Sequence, residues 1–311
     1  MGQILSGYYI YMLSILLIFI ALATILHMQF GLTGIANFGL SGIWGFGMYS
    51  CALIILKLNI PFVLAVILAT VLTGIISLPI GRIILDLDNQ AVLVGTLAFL
   101  AIIETLVISE KWLTNGVLGY GPVNYPFNFG TYTKFVYFLI ILIFTIVLMF
   151  YARKLESSPP GRLLLSIQDN EPLSQSLGKP TFRQKLVFFT FTSALAGFFG
   201  AIAAPVYNFV FPKYMGPDIT FTLWIALILG ARKRIFGGLV GVLATVGLFN
   251  VVLETVVPIP SQYAGILYNA KYFLYGLTLI LVLMFRPSGI LGDKKRSKNI
   301  KNIGKFEKME G

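Results

Sequence analysis

One cysteine, one histidine and only twelve acidic residues in a chain of 311 exclude most enzyme chemistry. Cys51 alone builds neither a disulfide nor a Cys-based metal site within one chain. His27 is the only imidazole available as a general base and has no partner at metal-ligand spacing. Both read as packing or interface residues. A Gly-x-x-x-x-Gly-Lys-Ser/Thr phosphate loop is missing, since Gly178-Lys179-Pro180 lacks the upstream glycine and the hydroxyl residue. His-Glu-x-x-His and Gly-x-Ser-x-Gly are missing as well. The expectation is a protein that is not an enzyme and needs no cofactor. Any ATP it uses must be bound by another subunit.

Charge is scarce too. Charged residues make up 11% of the chain, against about 25% in a typical soluble protein. Hydrophobic residues make up 57%, and the mean hydropathy is +0.87. A bilayer core needs about 20 apolar residues per helical span, and several such runs are present. The alternation that marks a transmembrane β-barrel is not. The fold expected is all-α, a polytopic helical membrane protein.

Apolar segments run over 8–26, 32–56, 61–81, 91–109, 135–151, 186–210, 216–231, 235–256 and 266–285. That predicts about nine membrane-crossing segments, the second glycine-broken and the seventh short. The net charge of +11 fits Lys and Arg accumulating in cytoplasmic loops better than it fits nucleic acid. Basic clusters fall around 153–185, at Arg232-Lys233-Arg234, and in a tail from Lys294 to Lys308. With all three inside, the seventh segment must cross, the N-terminus lies outside and the C-terminus is cytoplasmic. Residues 1–292 then form one transmembrane domain with a cytoplasmic segment at 153–185. The basic tail 293–311 is expected to be disordered and to anchor the topology, with lipid-headgroup binding as the other reading. The first residues match a myristoylation pattern by chance, and 8–26 is too long for the core of a cleaved signal peptide.

Residues 161–178 form a polar island between apolar runs. Gly161 and Arg162 open it, Asp169, Glu171 and Pro172 lie within it, and Gly178 closes it. These are start and stop signals for a short amphipathic helix outside the bilayer, placed to touch a partner such as a soluble ATPase. A second unusual stretch, 31–47, holds six glycines, with Asn37 and Ser41 four apart. Irregular backbone at membrane depth survives only inside protein or along a polar cavity, and interrupted helices often mark transporter sites. Gly34, Asn37, Ser41 and Gly42 are therefore candidates for a translocation path, with tight helix packing as the equal alternative. Small residues at spacing four (Ser193, Gly197, Ala201; Ala196, Gly200, Ala204; Gly237, Gly241, Thr245) read mainly as packing. Glu104 is the one ionisable residue well inside a span and a functional candidate by that fact, while Glu254 and Lys271 sit nearer segment ends. So few buried carboxylates argue against an ion-coupled transporter, the alternative function.

Four blocks of residues resemble a known family. They are the glycine-rich 31–50; Thr96-Leu97-Ala98-Phe99 through Glu104 to Leu113-Thr114-Asn115-Gly116; Gly161-Arg162 through Asp169 and Glu171 to Gly178; and Tyr275-Gly276 through Phe285-Arg286-Pro287 to Gly292. In this order they are similar to the membrane permease subunits of ABC importers for branched-chain amino acids, M type. Asn115 stands where that family usually has glycine, and Leu173 and Ser174 replace an alanine pair. The resemblance implies a plasma-membrane permease of a prokaryote, working with a second permease subunit (the same or different), two cytoplasmic ABC ATPases and an extracytoplasmic substrate-binding protein. It implies ATPase coupling through Gly161, Arg162, Asp169, Glu171 and Gly178. It also implies a path that includes Thr114, Asn115 and Gly116. Related permeases for urea and short amides keep the substrate open.

Overall fold

The computed structural model describes residues 2–231 and 234–252, together with 273, 276, 277, 280, 281, 284, 285 and 289–291. The expected tail 293–311 and Glu254 and Lys271 lie outside these residues. Among the described residues the chain is helical, with no strand beyond a single antiparallel bridge between Tyr120 and Val210.

Six helices are long and apolar enough to cross a bilayer. They lie within α1 (Gly2–Thr33), α2 (Leu40–Leu58), α3 (Phe62–Ile84), α4 (Asn89–Ser109), α6 (Thr133–Ser157) and α9 (Thr181–Tyr207), with the four-residue α5 (Lys111–Thr114) after α4. Between α6 and α9 lie α7 (Pro159–Asp169) and α8 (Glu171–Ser176). The expected seventh crossing is α10 (Pro217–Gly230), whose 14 residues reach about 21 Å, short of a bilayer core. The eighth is α11 (Ile235–Val242), continued by a wider π-type helix over Leu243–Val252. Of the ninth, 266–285, only 273, 276, 277, 280, 281, 284 and 285 are among the described residues. Six membrane-length helices are thus present, and the count of nine is not reached among the described residues.

The boundaries differ from expectation at the first two segments. The first apolar run stops at 26, yet α1 continues to Thr33, so His27, Gln29 and Thr33 belong to a helix and not to a loop. The break comes at 34–39. Gly34 takes φ +76°, a left-handed conformation that ends α1 and turns its N–H onto Phe30 O, while Ile35 N donates to Gln29 O.

The core is built around α2 and α9. Nearly every residue of α2 from Leu40 to Ala52 is buried, and α9 packs against α3, α2 and α1. The two helices cross on glycine. A Cβ on Gly200 would lie 2.0 Å from Trp44 O, and one on Gly47 would lie 2.3 Å from Gly197 O. The spacing-four glycines therefore set a backbone-to-backbone approach, the packing reading of that pattern. α10 and α11 form an equally tight hairpin, where a Cβ on Gly241 would meet Ala226 O at 1.7 Å. By contrast α3 and α6 turn apolar rows outward (Val63, Ile67, Val71 and Ile75; Ile143, Val147 and Phe150), as helices do whose neighbours are lipid or another apolar subunit.

The bundle has two distinct ends. One carries α7 and α8. The other carries 110–133, where Tyr120 and Val210 exchange N–H···O bonds of 2.9 Å and Lys57 Nζ donates to Trp112 O at 2.9 Å. After α9 the chain does not simply turn round at this second end. A 3₁₀ turn, Pro212–Met215, carries it back beside the start of α2, and α10 begins there, inside the bundle.

Candidate functional site

The polar island folds as an elbow of two helices, not the single helix expected. Ser158 caps α7 by accepting from Gly161 N, and Pro159 and Pro160 occupy its first turn. Asn170 then ends α7 and caps α8, its side chain accepting from Leu173 N at 3.0 Å. Pro172 explains the split: in a continuous helix its ring would collide with the carbonyl of Gln168, and it has no N–H to donate there. Gly178, at φ +76°, closes the unit.

The five elbow residues named from the sequence divide by environment. Gly161 is buried where α6 meets α7, and a Cβ there would lie 1.9 Å from Leu155 O. Arg162 is exposed and its Nη1 donates to Ser157 O at 2.9 Å. Asp169 is exposed. Glu171 holds Lys185 of α9 at 2.8 Å, so it seats the elbow on the bundle. A cavity of about 350 Å³ opens beside this pair, bordered by Thr33, Gly34, Asp169, Asn170, Glu171 and Lys185. Leu173 on α8 and Leu177 at its C-cap are exposed.

Above the elbow, the break between α1 and α2 is organised by buried polar groups. Asn37 Nδ2 donates to Gln29 Oε1 at 2.9 Å, Asn37 Oδ1 accepts from Gly39 N at 2.8 Å, and Gln29 Nε2 donates to Thr192 Oγ1 of α9 at 2.9 Å. All three side chains are fully enclosed. Trp224 of α10 wedges in, its Nε1 donating to Asn37 O at 3.2 Å and its ring stacked on Phe38 at 4.7 Å. Phe38 N donates to Thr96 Oγ1 of α4 at 2.9 Å. One turn on, Ser41 N donates to Thr220 Oγ1 at 3.0 Å and Ser41 Oγ to Gly216 O at 2.9 Å, which fixes the start of α10.

The polar residues singled out in this stretch are thus bonded inside the subunit, Asn37 to Gln29, Gly39 and Trp224 and Ser41 to Thr220 and Gly216, and not to each other. Gly42 packs against Leu100 of α4, where a Cβ would stand 3.1 Å from its Cα, so bulk there would separate two helices and not fill a void. At the far end, Thr114 Oγ1 accepts from Gly116 N and donates to Glu110 O at 2.9 Å. Asn115 takes φ 63°, which asparagine tolerates where the related pattern has glycine. Glu104 is half-buried on α4, within electrostatic reach of Asp218 in the first turn of α10. It is not joined to the break by any hydrogen bond among the described residues.

Sequence reading missed Gln29, Gln168, Thr192, Thr220 and Trp224. The available signal for Gln29 was a lone amide four residues before Thr33, on a helix that hydropathy ended too early. Nothing comparable marked Thr192 or Trp224, which sit in otherwise apolar runs. Among the described residues no three of His, Cys, Asp and Glu converge as metal ligands.

A family model described as branched-chain amino acid transport system / permease component matches residues 8–283. The chain is 26% identical over 243 residues to the probable branched-chain amino acid transport permease protein LivM of Methanocaldococcus jannaschii, covering 73% of this chain and 68% of that one. It is 23% identical over 316 residues to the high-affinity branched-chain amino acid transport system permease protein LivM of Escherichia coli K12, covering 93% and 71%. The corresponding protein of Salmonella typhimurium LT2 is 24% identical over 302 residues, covering 88% and 68%.

Proposed function

Because the chain belongs to the family of branched-chain amino acid transport permease components, we propose that it is one permease subunit of an ABC importer for branched-chain amino acids. In this reading it is an integral membrane protein that pairs with a second permease subunit. Two cytoplasmic ATPases drive it and an extracytoplasmic binding protein delivers substrate. The observation that carries the reading is the elbow. A capped, two-helix polar unit stands at one end of an apolar bundle, tied down by Glu171–Lys185 and exposing Arg162, Asp169, Leu173 and Leu177. Mixed apolar and charged exposure of this kind suits a soluble partner. The elbow end is then cytoplasmic, which agrees with the basic residues Arg153, Lys154, Lys179 and Arg183 around it. The N-terminus and 110–133 face outward. Gly34, Asn37, Ser41 and Gly42 shape the wall of the path, and Glu104, Thr114, Asn115 and Gly116 lie toward its outer mouth.

The test is transport by the purified complex in proteoliposomes. ATP should drive leucine accumulation with ionophores present. Accumulation driven by an imposed proton or sodium gradient without any ATPase subunit would refute this reading in favour of a secondary transporter. Uptake of urea or a short amide in place of leucine would retain the machinery and change the substrate.

A further inference from the structure

The elbow and the break meet at one place, the last turn of α1. Gln168 of α7 donates from Nε2 to Phe30 O at 3.0 Å, and its Cγ lies against Gly34. Phe30 O already accepts from Gly34 N at 3.0 Å, so the elbow grips the carbonyl that closes the helix. The preceding residue is Gln29, whose side chain reaches the other way, to Asn37 in the break and to Thr192 on α9. From Asn37 O the contact passes to Trp224 on α10.

We propose that Gln168 and Gln29 are positioning residues that carry displacement of the elbow into the break and so to the start of α10. This rests on the importer reading above. The geometry favours the route in two ways. First, α7 packs against α1 and α6; among the described residues its side chains reach membrane-length helices through two hydrogen bonds, Arg162 to Ser157 O at the adjoining end of α6 and Gln168 to Phe30 O of α1, and only the second leads toward the break. Second, the links are side-chain amides, Gln29 fully enclosed and Gln168 half-buried at the polar cavity, and bonds of this kind within membranes are modest in strength. Such bonds hold one register and exchange for another during a cycle, which interlocked apolar packing does not do readily. Gln29 is fully enclosed, and Gln168 is half-buried with its amide turned to α1, so the hydrogen bonds of both are made inside the subunit.

The experiment uses the complete complex in proteoliposomes and reads leucine moved per ATP hydrolysed. A fall in the folded fraction lowers both quantities together, so the ratio reports coupling and not stability. Gln168→Met keeps the side chain's length and removes its donor. It should co-purify with the ATPase and hydrolyse ATP, while leucine moved per ATP falls about three- to eighteenfold. Gln168→Lys returns a donor to the same reach and should restore the ratio. Thr192→Val, nearly the same shape, removes the acceptor for Gln29 and should reproduce the loss; it decides the matter should the methionine variant fail to assemble. An unchanged ratio in either variant, or a lysine variant as uncoupled as the methionine one, overturns the inference alone. An unmodified complex that accumulates leucine without ATP overturns the importer reading and this inference with it.

Discussion

Breaking the ion pair that seats the elbow should loosen α8 by a measurable and coupled amount. Lys185 Nζ stands 2.8 Å from Glu171 Oε2, with the lysine side chain 11% and the glutamate 32% exposed. Fully exposed pairs contribute about 0.2–1 kcal/mol, and removing one partner of a buried pair costs about 3–5 kcal/mol. A pair with one buried and one third-exposed member falls between, at about 1–2 kcal/mol. Glu171 also opens α8, where a carboxylate faces the positive end of the helix for about 0.3–1 kcal/mol more. Glu171→Gln loses both contributions, whereas Lys185→Met loses the pair and keeps the helix interaction. Hydrogen exchange can separate them, because Ser174 N and Leu177 N are bonded only within the elbow, to Asn170 O and Leu173 O. Their exchange should rise about five- to thirtyfold in the single variants, more for Glu171→Gln. The double variant should lose less than the two singles combined, because the pair is broken only once. Strict additivity, or unchanged exchange at both amides, would show that the elbow is held by its apolar underside, Leu164 and Ile167, and that the pair is incidental.

Three further changes follow from backbone geometry and burial. Gly34→Val should lower the thermal midpoint more than Gly34→Asn, since φ +76° imposes about 1–2 kcal/mol on a residue with a Cβ and asparagine tolerates it best; equal midpoints would mean that the break rearranges freely. Gly200→Ala, whose Cβ would meet Trp44 O at 2.0 Å, should destabilise by about 1–3 kcal/mol and reduce monodisperse protein on size exclusion. Gly7→Ala, with only Lys134 Nζ at 3.8 Å, should not, and matched profiles would refute the glycine crossing. Asn37→Leu strands Gln29 Oε1 and Gly39 N in a dry interior, so a loss of about 1–3 kcal/mol is expected in thermal unfolding; a neutral result would mean that water reaches the break.

Hydropathy and glycine content were enough to read an all-helical membrane bundle, because both follow from what lipid demands of a backbone. Every polar group must be satisfied inside its own segment, so long apolar runs become helices, and six of them do. Where the backbone is irregular, the same demand is met by partners distant in sequence, and there a linear reading fails. The bond from Gln29 to Thr192 joins residues 163 positions apart, and that from Trp224 to Asn37 spans 187. Asn37 and Ser41 stand out as polar residues in an apolar stretch, but the sequence does not show whether such atoms face a path or partners within the subunit. Charge and the closing Gly178 are legible at the elbow because such cues are local; the caps, Ser158 ahead of two prolines and Asn170 ahead of Pro172, are equally local and emerge only with the structure. The same local cues specify two helices within 161–178, since Pro172 cannot extend α7. The end of α1 is the instructive miss. His27, Gln29 and Thr33 lower the hydropathy and mimic a loop, yet Thr33 Oγ1 bonds back to Gln29 O and the Gln29 amide finds two partners across the bundle. A polar residue near the end of an apolar run is therefore ambiguous between a helix boundary and a buried joint. Only the position of its partners separates the two, and here they lie on α9 and in the break.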